Sequence, residues 1–238
     1  MKVTNNFQSL MNFQGVNALL VIFISLVLFG CEKSKLDYFP LESGYRWEYL
    51  ITEKLNDETK IGKSIVSNLQ SKKVNNVTYY PRWNANGETH YFSKSEEGIF
   101  LSPSVDQTGE IIFKYPLELG TNWKAATRID ILDSRHESFS GGESFISLDE
   151  EIVLKFKIAG KDDKVQTSIG VFTNCLRIEG TASVTVKERT RGIDLILIQQ
   201  TDWYAPGAGL VKRIRKEQSV PDKYIGEQLI ELVKLNRS

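Results

Sequence analysis

Apolar and polar residues alternate with a period of two along most of the chain after residue 44, and short polar segments interrupt the alternation. Trp47, Tyr49 and Ile51, for example, occupy every second position of one such run. Because successive side chains of a strand point to opposite faces, this pattern predicts β-strands. The predicted strands cover residues 47–52, 60–69, 77–83, 89–94, 99–102, 110–114, 123–132, 152–158, 165–167, 175–189, 193–204 and 209–217.

The polar segments predict the turns between these strands. Asn86-Gly87 is the strongest hairpin dipeptide, because both central residues of a type I′ turn need a positive φ. Further turns are predicted at residues 56–57, 75–76, 95–98, 160–163 and 190–192. The segment 134–144, rich in Ser, Gly and charged residues, is predicted to be the most mobile loop.

The segment from Tyr224 to Leu235 allows two interpretations. Ile225, Leu229, Leu232 and Val233 fit one face of a helix, but Leu229, Glu231, Val233 and Leu235 also fit one side of a strand. We favour a strand that closes the sheet.

So many antiparallel strands cannot stay flat without leaving long exposed edges. The predicted fold is therefore all-β, a single domain of curved antiparallel strands at residues 38–238 that forms a partial barrel or a barrel-like meander. A sandwich is the other closed solution.

A signal peptide is predicted ahead of this domain, at residues 1–30. Lys2 gives a weakly positive start, and an apolar run of twelve residues follows at 18–29. A membrane-spanning helix needs about 20 apolar residues, so this run is too short to span. An ordinary secreted protein or an uncleaved anchor is the alternative interpretation.

The run ends in Leu28-Phe29-Gly30-Cys31, which resembles the bacterial lipobox. This resemblance implies that Cys31 is acylated, by palmitate or a similar chain, and becomes the first residue of the mature protein. Several acyl chains on one residue give stable anchoring, so the bilayer is the predicted partner and residues 31–37 form a short tether. Glu32 is not the aspartate that retains some lipoproteins at the inner membrane, which favours the outer membrane.

Charge and cysteine content narrow the function classes. The 238 residues include 30 basic and 30 acidic side chains, and cleavage at residue 30 removes only Lys2. A neutral chain has no field that attracts nucleic acid, so nucleic acid is not an expected partner. With Cys31 acylated, Cys175 has no disulfide partner, and its strand-like surroundings predict a buried packing role.

The chain contains an internal repeat. The sequence FPLESGYRW at residues 39–47, here the first copy, matches YPLELGTNW at residues 115–123, the second copy. Proline favours an extended approach, glycine permits a tight turn, and each tryptophan begins the next strand. The two copies are interpreted as similar plugs at the ends of a sheet, or alternatively as two aromatic platforms for a ligand.

The motif shared by the two copies, together with GVFTNCL at residues 170–176 and WYAPGAGLVK at residues 203–212, resembles a set of bacterial lipoproteins of mostly unassigned function. Their mature parts open with an aromatic-Pro-Leu-x-x-Gly-x-x-Trp motif and carry a Tyr-Ala-x-Gly-x-Gly-Leu-Val-Lys signature. The resemblance implies a curved antiparallel sheet akin to the half-barrels that carry lipids or lipoproteins across the periplasm. It implies no catalytic residue.

The residues themselves indicate neither catalysis nor a metal or cofactor site. His90 and His136 are the only histidines, and neither has the spacing of a zinc site. No nucleophile elbow, phosphate-binding loop or dinucleotide motif is present. A basic strip is predicted as a solvated strand surface, with contact to lipid phosphates as the alternative; it consists of Lys187, Arg189, Arg191, Lys212, Arg213, Arg215 and Lys216.

Two function classes remain, and an enzyme is not expected. The first is a membrane-anchored lipoprotein with a non-catalytic structural or interaction role, whose partner is an envelope protein. The second is a carrier or binder of an apolar, lipid-like ligand in the curved sheet, with contacts from Trp47, Trp123, Trp203 and Tyr204. A packed interior would favour the first class, and an open trough of roughly 300 to 1,000 Å³ would favour the second.

Overall fold

A computed structural model describes residues 36–132, 146–147, 152–188, 192–221 and 224–237. Asp37–Ser238 forms a compact unit of its own. Every regular element in the described residues is a β-strand, which confirms the all-β prediction. The predicted signal peptide, Cys31 and the loop at 134–144 lie outside the described residues.

Fourteen strands follow one another along the chain. Their bounds are β1 Tyr45–Leu55, β2 Glu58–Asn68, β3 Lys72–Val74, β4 Val77–Asn84, β5 Thr89–Lys94, β6 Gly98–Ser102, β7 Glu110–Lys114, β8 Asn122–Thr127, β9 Ile146–Ser147, β10 Ile152–Thr167, β11 Gly170–Glu188, β12 Gly192–Ala205, β13 Gly209–Val220 and β14 Ile225–Arg237.

All described strands belong to one antiparallel sheet whose main path runs β7-β6-β5-β4-β2-β1-β14-β13-β12-β11-β10-β8. The short strands β3 and β9 pair beside this path, with β4 and β11 respectively. The sheet curls until its two end strands meet. At this point the Glu110 carboxylate on β7 accepts a hydrogen bond from the Ala126 N–H on β8. The result is a nearly closed barrel, as the strand count predicted.

The ambiguous segment near the C-terminus is a strand, as favoured. β14 pairs with β1 from Tyr45↔Arg237 to Leu55↔Gly226, and on its other side with β13. It therefore joins the two halves of the sheet, which a helix at this position could not do.

The prediction of a type I′ turn at Asn86-Gly87 is wrong. Only Gly87 of this pair has a positive φ, 91°, and the Asn84 carboxamide accepts hydrogen bonds from the N–H groups of Asn86 and Glu88. This side chain stabilises a longer loop instead. The type I′ geometry occurs at Asn75-Asn76, whose φ values are 47° and 65°.

The predicted strand at 123–132 is too long. β8 ends at Thr127, because the N–H groups of Asp130, Ile131 and Leu132 donate to the Glu217 carboxylate at 2.9–3.0 Å instead of to a neighbouring strand. A buried carboxylate therefore replaces the sheet ladder as the acceptor for this segment.

The turn predicted at residues 160–163 is also wrong. β10 continues through this segment, and its register against β11 shifts between Ile158 and Val165. Asp162, with φ 66°, lies within these shifts. The extra residues form bulges that bend the strand rather than reverse it.

The buried side chains fill the interior in contiguous clusters. One cluster joins the segment at Tyr38, Phe39 and Leu41 to strands on both sides of the barrel, including Phe113 and Trp123. The loop before β1 therefore folds into the barrel as a plug. In the described part of the chain there is no helix with the length and apolar character needed to cross a membrane.

Candidate functional site

The interior of the curved sheet is not completely filled. It contains a cavity of about 440 Å³, within the usual range of small-molecule sites. Residues from both halves of the sheet and from the plug line this cavity. Its aromatic lining consists of Phe39, Trp47, Tyr49, Phe92, Trp123, Phe156 and Tyr204.

The aromatic rings contact one another, so their positions are well fixed. The Phe39 ring lies 5.4 Å from Phe92 and 6.2 Å from Tyr204, measured between centroids. On the other side, Trp123 stacks on Phe156 at 5.4 Å. These distances are those of favourable aromatic pairs, and they give the cavity a rigid apolar wall.

The two copies of the repeat have the same backbone turn but different hydrogen bonding. Gly44 and Gly120 have φ values of 89° and 88°, and each is followed three residues later by a tryptophan that lines the cavity. The Trp47 Nε1 donates to the Ala208 carbonyl at 2.6 Å. The Trp123 Nε1 is buried and has no partner among the described residues.

An ion pair between a buried aspartate and a half-buried arginine lines one part of the cavity. Arg213 on β13 donates to both carboxylate oxygens of Asp202 on β12 at 2.7 Å, and Gln200 donates to the same carboxylate at 3.1 Å. Burial by itself would lower the pKa of Arg213, but the Asp202 charge and hydrogen bonds raise it above its ordinary value. The two side chains therefore satisfy each other's hydrogen-bonding groups.

A second buried pair lies beside the first. The Arg215 Nε donates to Glu217 at 2.8 Å, and its other N–H groups reach Thr127, Gln200 and the Arg128 carbonyl. Glu217 is fully buried. Together with its bonds to the segment after β8, Glu217 fastens that segment to β13.

The prediction of a solvated basic strip is wrong for Arg213 and Arg215. They share one face of β13, as the alternation indicated, but that face points into the barrel, and Arg215 is only 4% exposed. Lys212 and Lys216 lie on the other face. Sequence alternation could not find the buried charges, because a charged face is normally a solvated one. Arg189 and Arg191 lie outside the described residues.

Sequence reasoning also missed Arg82, which lies in β4 and lines the cavity. Its guanidinium carbon lies 4.9 Å, 4.7 Å and 4.8 Å from the ring centroids of Phe39, Trp47 and Phe92. Burial lowers the pKa of Arg82 to about 10. No sequence signal marks this residue, because it is an isolated arginine in an aromatic strand.

Of the four side chains predicted as ligand contacts, Trp47, Trp123 and Tyr204 line the cavity. Trp203 does not: it points to the other side of β12, and its Nε1 donates to the Asp163 carboxylate at 3.1 Å. The structure therefore brings together three of the four.

Cys175 is buried beside Trp47 and Val211, as its packing role predicted. Burial, with a smaller contribution from the Asp163 charge, raises the pKa of its thiol to about 11. Such a thiol is a poor nucleophile near neutral pH. His90, the one described histidine, is exposed and lies 3.8 Å from Glu88.

No family model matches the chain, and no curated protein is similar to it. Two solved structures are similar in fold. One, from Bacteroides fragilis, is described as an exported protein with a YmcC-like fold; it is 13% identical, with a TM-score of 0.42, and the match covers 84% of this chain and 99% of that one. The other, from Parabacteroides distasonis, is described as a lipoprotein. It is 11% identical, with a TM-score of 0.40, and the match covers 85% of this chain and 100% of that one. Likeness at this level does not assign an activity.

Proposed function

We propose that the protein is a lipid-anchored protein of the cell envelope that binds a small, largely apolar ligand inside its curved sheet. The observation that supports this proposal is the cavity of about 440 Å³ with a wall of seven aromatic side chains. A fully packed interior would have favoured a structural or interaction role instead. The cavity therefore favours the carrier or binder among the two classes.

The described residues favour binding over catalysis. The buried carboxylates of Asp202 and Glu217 are each engaged by an arginine, so neither is available as a general base. In the described part of the chain no three metal-ligating side chains come together. A non-catalytic role is accordingly part of the proposal.

The proposed anchor is Cys31, and the tether keeps the cavity near the bilayer. Residues 32–37 span at most about 20 Å when fully extended. A ligand that partitions into membranes would therefore pass between the bilayer and the protein over a short distance. The resemblance of the chain to bacterial lipoproteins supports the anchor, and Glu32 after the cysteine favours the outer membrane where the organism has one.

The anchor is tested by metabolic labelling with a fatty acid. The parent chain is expected to incorporate label, and Cys31→Ser is expected to incorporate none. Equal labelling of the two proteins would remove the lipoprotein part of the proposal, while the cavity would remain to be tested separately.

Ligand binding is tested on the chain from residue 32 onward, purified without detergent, by extraction and lipid mass spectrometry. Ala125 is buried and lines the cavity, so Ala125→Phe fills part of the space and is expected to reduce the bound ligand. Lys124→Phe places the same side chain on the exposed face of the same strand and serves as the matched control. A chain that carries no ligand and takes up none when amphiphiles are supplied would overturn the proposal.

A further inference from the structure

The charges that line the cavity do not balance. Three arginines, Arg82, Arg213 and Arg215, line it together with Asp130 and Asp202. Arg213 pairs with Asp202, and Arg215 pairs with Glu217 immediately behind the wall. Asp130 pairs with Arg128, which is exposed to solvent. Arg82 is thus the one lining cation that has no carboxylate partner among the described residues.

The guanidinium of Arg82 also has unused hydrogen-bond donors. Its Nε donates to the Asn68 carboxamide at 2.7 Å, and its Nη2 donates to the Pro40 carbonyl at 2.9 Å. A guanidinium carries five N–H donors, so three remain without an acceptor among the described residues. The unpaired Nη1 of Arg82 is not among the fully buried side-chain atoms that lack a partner, so it is accessible from the cavity and a ligand acceptor can reach it.

The surroundings of Arg82 hold the guanidinium in one position. Three aromatic rings pack within 5 Å of it, which favours a cation and displaces bulk water. Asn68 is itself fixed, because its amide donates to the Pro40 and Glu42 carbonyls. The guanidinium is therefore preorganised, and a ligand would not have to pay the entropy of ordering it.

We infer that the cavity binds a single-chain amphiphile with one anionic headgroup, which Arg82 holds while the apolar tail lies against the aromatic wall. The planar guanidinium matches a carboxylate or a phosphate through paired N–H donors. Because Arg82 is a single cation without a carboxylate partner among the described residues, one negative charge on the ligand is enough to neutralise it. This inference rests on the proposed binding function and names the chemical class of its ligand.

The inference is tested by titrating the chain from residue 32 onward, purified without detergent, with three probes of equal tail length. They are decanoate and decyltrimethylammonium, each below its micelle concentration, and decan-1-ol, below its solubility limit. Calorimetry and the fluorescence of the two lining tryptophans report binding. Decanoate is expected to bind roughly 10-fold to 100-fold more tightly than decan-1-ol, which is the range for a hydrogen bond to a charged group. The cationic probe is expected to bind most weakly.

The possible outcomes separate this inference from the proposed function. Equal affinity for decanoate and decan-1-ol, or preference for the cationic probe, would overturn the anionic headgroup and leave ligand binding intact. Failure of all three probes to bind would overturn both.

A variant pair assigns the preference to Arg82. Arg82→Met is expected to abolish the preference for decanoate while decan-1-ol still binds, and Arg46→Met is expected to change neither affinity. Arg46 is the matched control, because it is exposed and lies on the opposite face of β1 from Trp47. An Arg82→Met protein that keeps the preference would overturn the role of Arg82. Should this variant fail to fold, the comparison of the three probes on the parent chain decides the inference alone.

Discussion

The first copy of the repeat is buried at both of its ends, whereas the second copy is buried only at its final tryptophan. In the first copy, Pro40 is fully buried and Trp47 is 2% exposed. In the second copy, Pro116 and Leu119 are exposed, Tyr115 and Leu117 pack against the core while partly exposed, and Trp123 is the one buried side chain. The two copies nevertheless share the same left-handed glycine and the same tryptophan position.

The difference teaches that one motif can specify a backbone turn without specifying burial. The Pro40 carbonyl accepts hydrogen bonds from Asn68 and Arg82, two side chains of the barrel interior. Among the described residues, the Pro116 carbonyl accepts hydrogen bonds only locally, from Thr121 and the Glu118 N–H. Side-chain donors from the barrel interior therefore hold the first copy as a plug, whereas the second copy is held by backbone hydrogen bonds of Gly120 and Thr121 with Ile158.

The largest difference is expected between Gly209, which lies against the first copy, and Gly120, which belongs to the second copy. Gly209 has φ 79°, and a Cβ there would already be in van der Waals contact with Pro40 of the first copy, at 3.4 Å, so the two Cγ atoms of Gly209→Val add crowding to the backbone strain. Its expected cost is about 3 kcal/mol in the free energy of unfolding. Gly120→Val has the same strain but no atom within 4 Å of its Cβ, and its expected cost is about 1 kcal/mol. Urea denaturation measures both, and equal losses would show that the plug is not packed against Gly209.

The next largest difference concerns the two tryptophans. Trp47→Phe removes the donor to the Ala208 carbonyl and opens space in a buried cluster, at an expected cost of about 2.5 kcal/mol. Trp123→Phe removes an N–H that has no partner among the described residues, so only packing is lost, at about 1 kcal/mol. The same urea titration compares them. A greater loss for Trp123→Phe would contradict the hydrogen-bonding difference between the copies.

A smaller effect is expected from the side chains that bind the two proline carbonyls. Asn68 is 5% exposed and bridges Pro40, Glu42 and Arg82, so Asn68→Ala is expected to cost about 2 kcal/mol. Thr121→Val removes a solvent-exposed bond to Pro116 and is expected to cost less than about 0.5 kcal/mol. Thermal unfolding checks this pair. If Thr121→Val lowered the melting temperature as much as Asn68→Ala, the proposed difference between the partners of the two proline carbonyls would be wrong.

The smallest expected effect is on the reactivity of the Cys175 thiol. Because burial raises the pKa of Cys175 to about 11, very little thiolate forms at pH 8, and iodoacetamide is expected to leave the native chain from residue 32 onward unmodified. Trp47→Phe loosens the same cluster and is expected to speed alkylation, whereas Trp123→Phe is not. Mass spectrometry over a time course gives the rates. Rapid alkylation of the native parent would show that this cluster is open to solvent.

Alternation and turn residues were sufficient to predict most of the sheet, because a half-buried strand has a period of two in its sequence. The segment near the C-terminus was assigned correctly since its apolar residues also fit one side of a strand. The end of β8 and the bulges of β10 could not be predicted, because they depend on Glu217 and on β11, which are distant in sequence.

The candidate site was only partly predictable for the same reason. Large aromatic residues in a repeat pointed to Trp47 and Trp123, and both line the cavity. The buried arginines could not be recognised, since the partners that make burial tolerable come from other strands. Asp202 compensates Arg213 across β12 and β13, and the rings around Arg82 come from the plug, β1 and β5.

The pairing of β1 with β14 has a consequence for how the chain reaches its fold. Every other pair of neighbouring strands on the main path is consecutive in the chain, except β2 and β4, which are separated by β3, and β8 and β10, which are separated by β9. If the two ends were linked and the chain were opened before β8, the same barrel would be a plain up-and-down succession of strands. The natural order instead requires Tyr45 to find Arg237 across nearly the whole sequence, and such long-range pairing slows folding. A circular permutant that begins at β8 would form the same sheet from local steps alone.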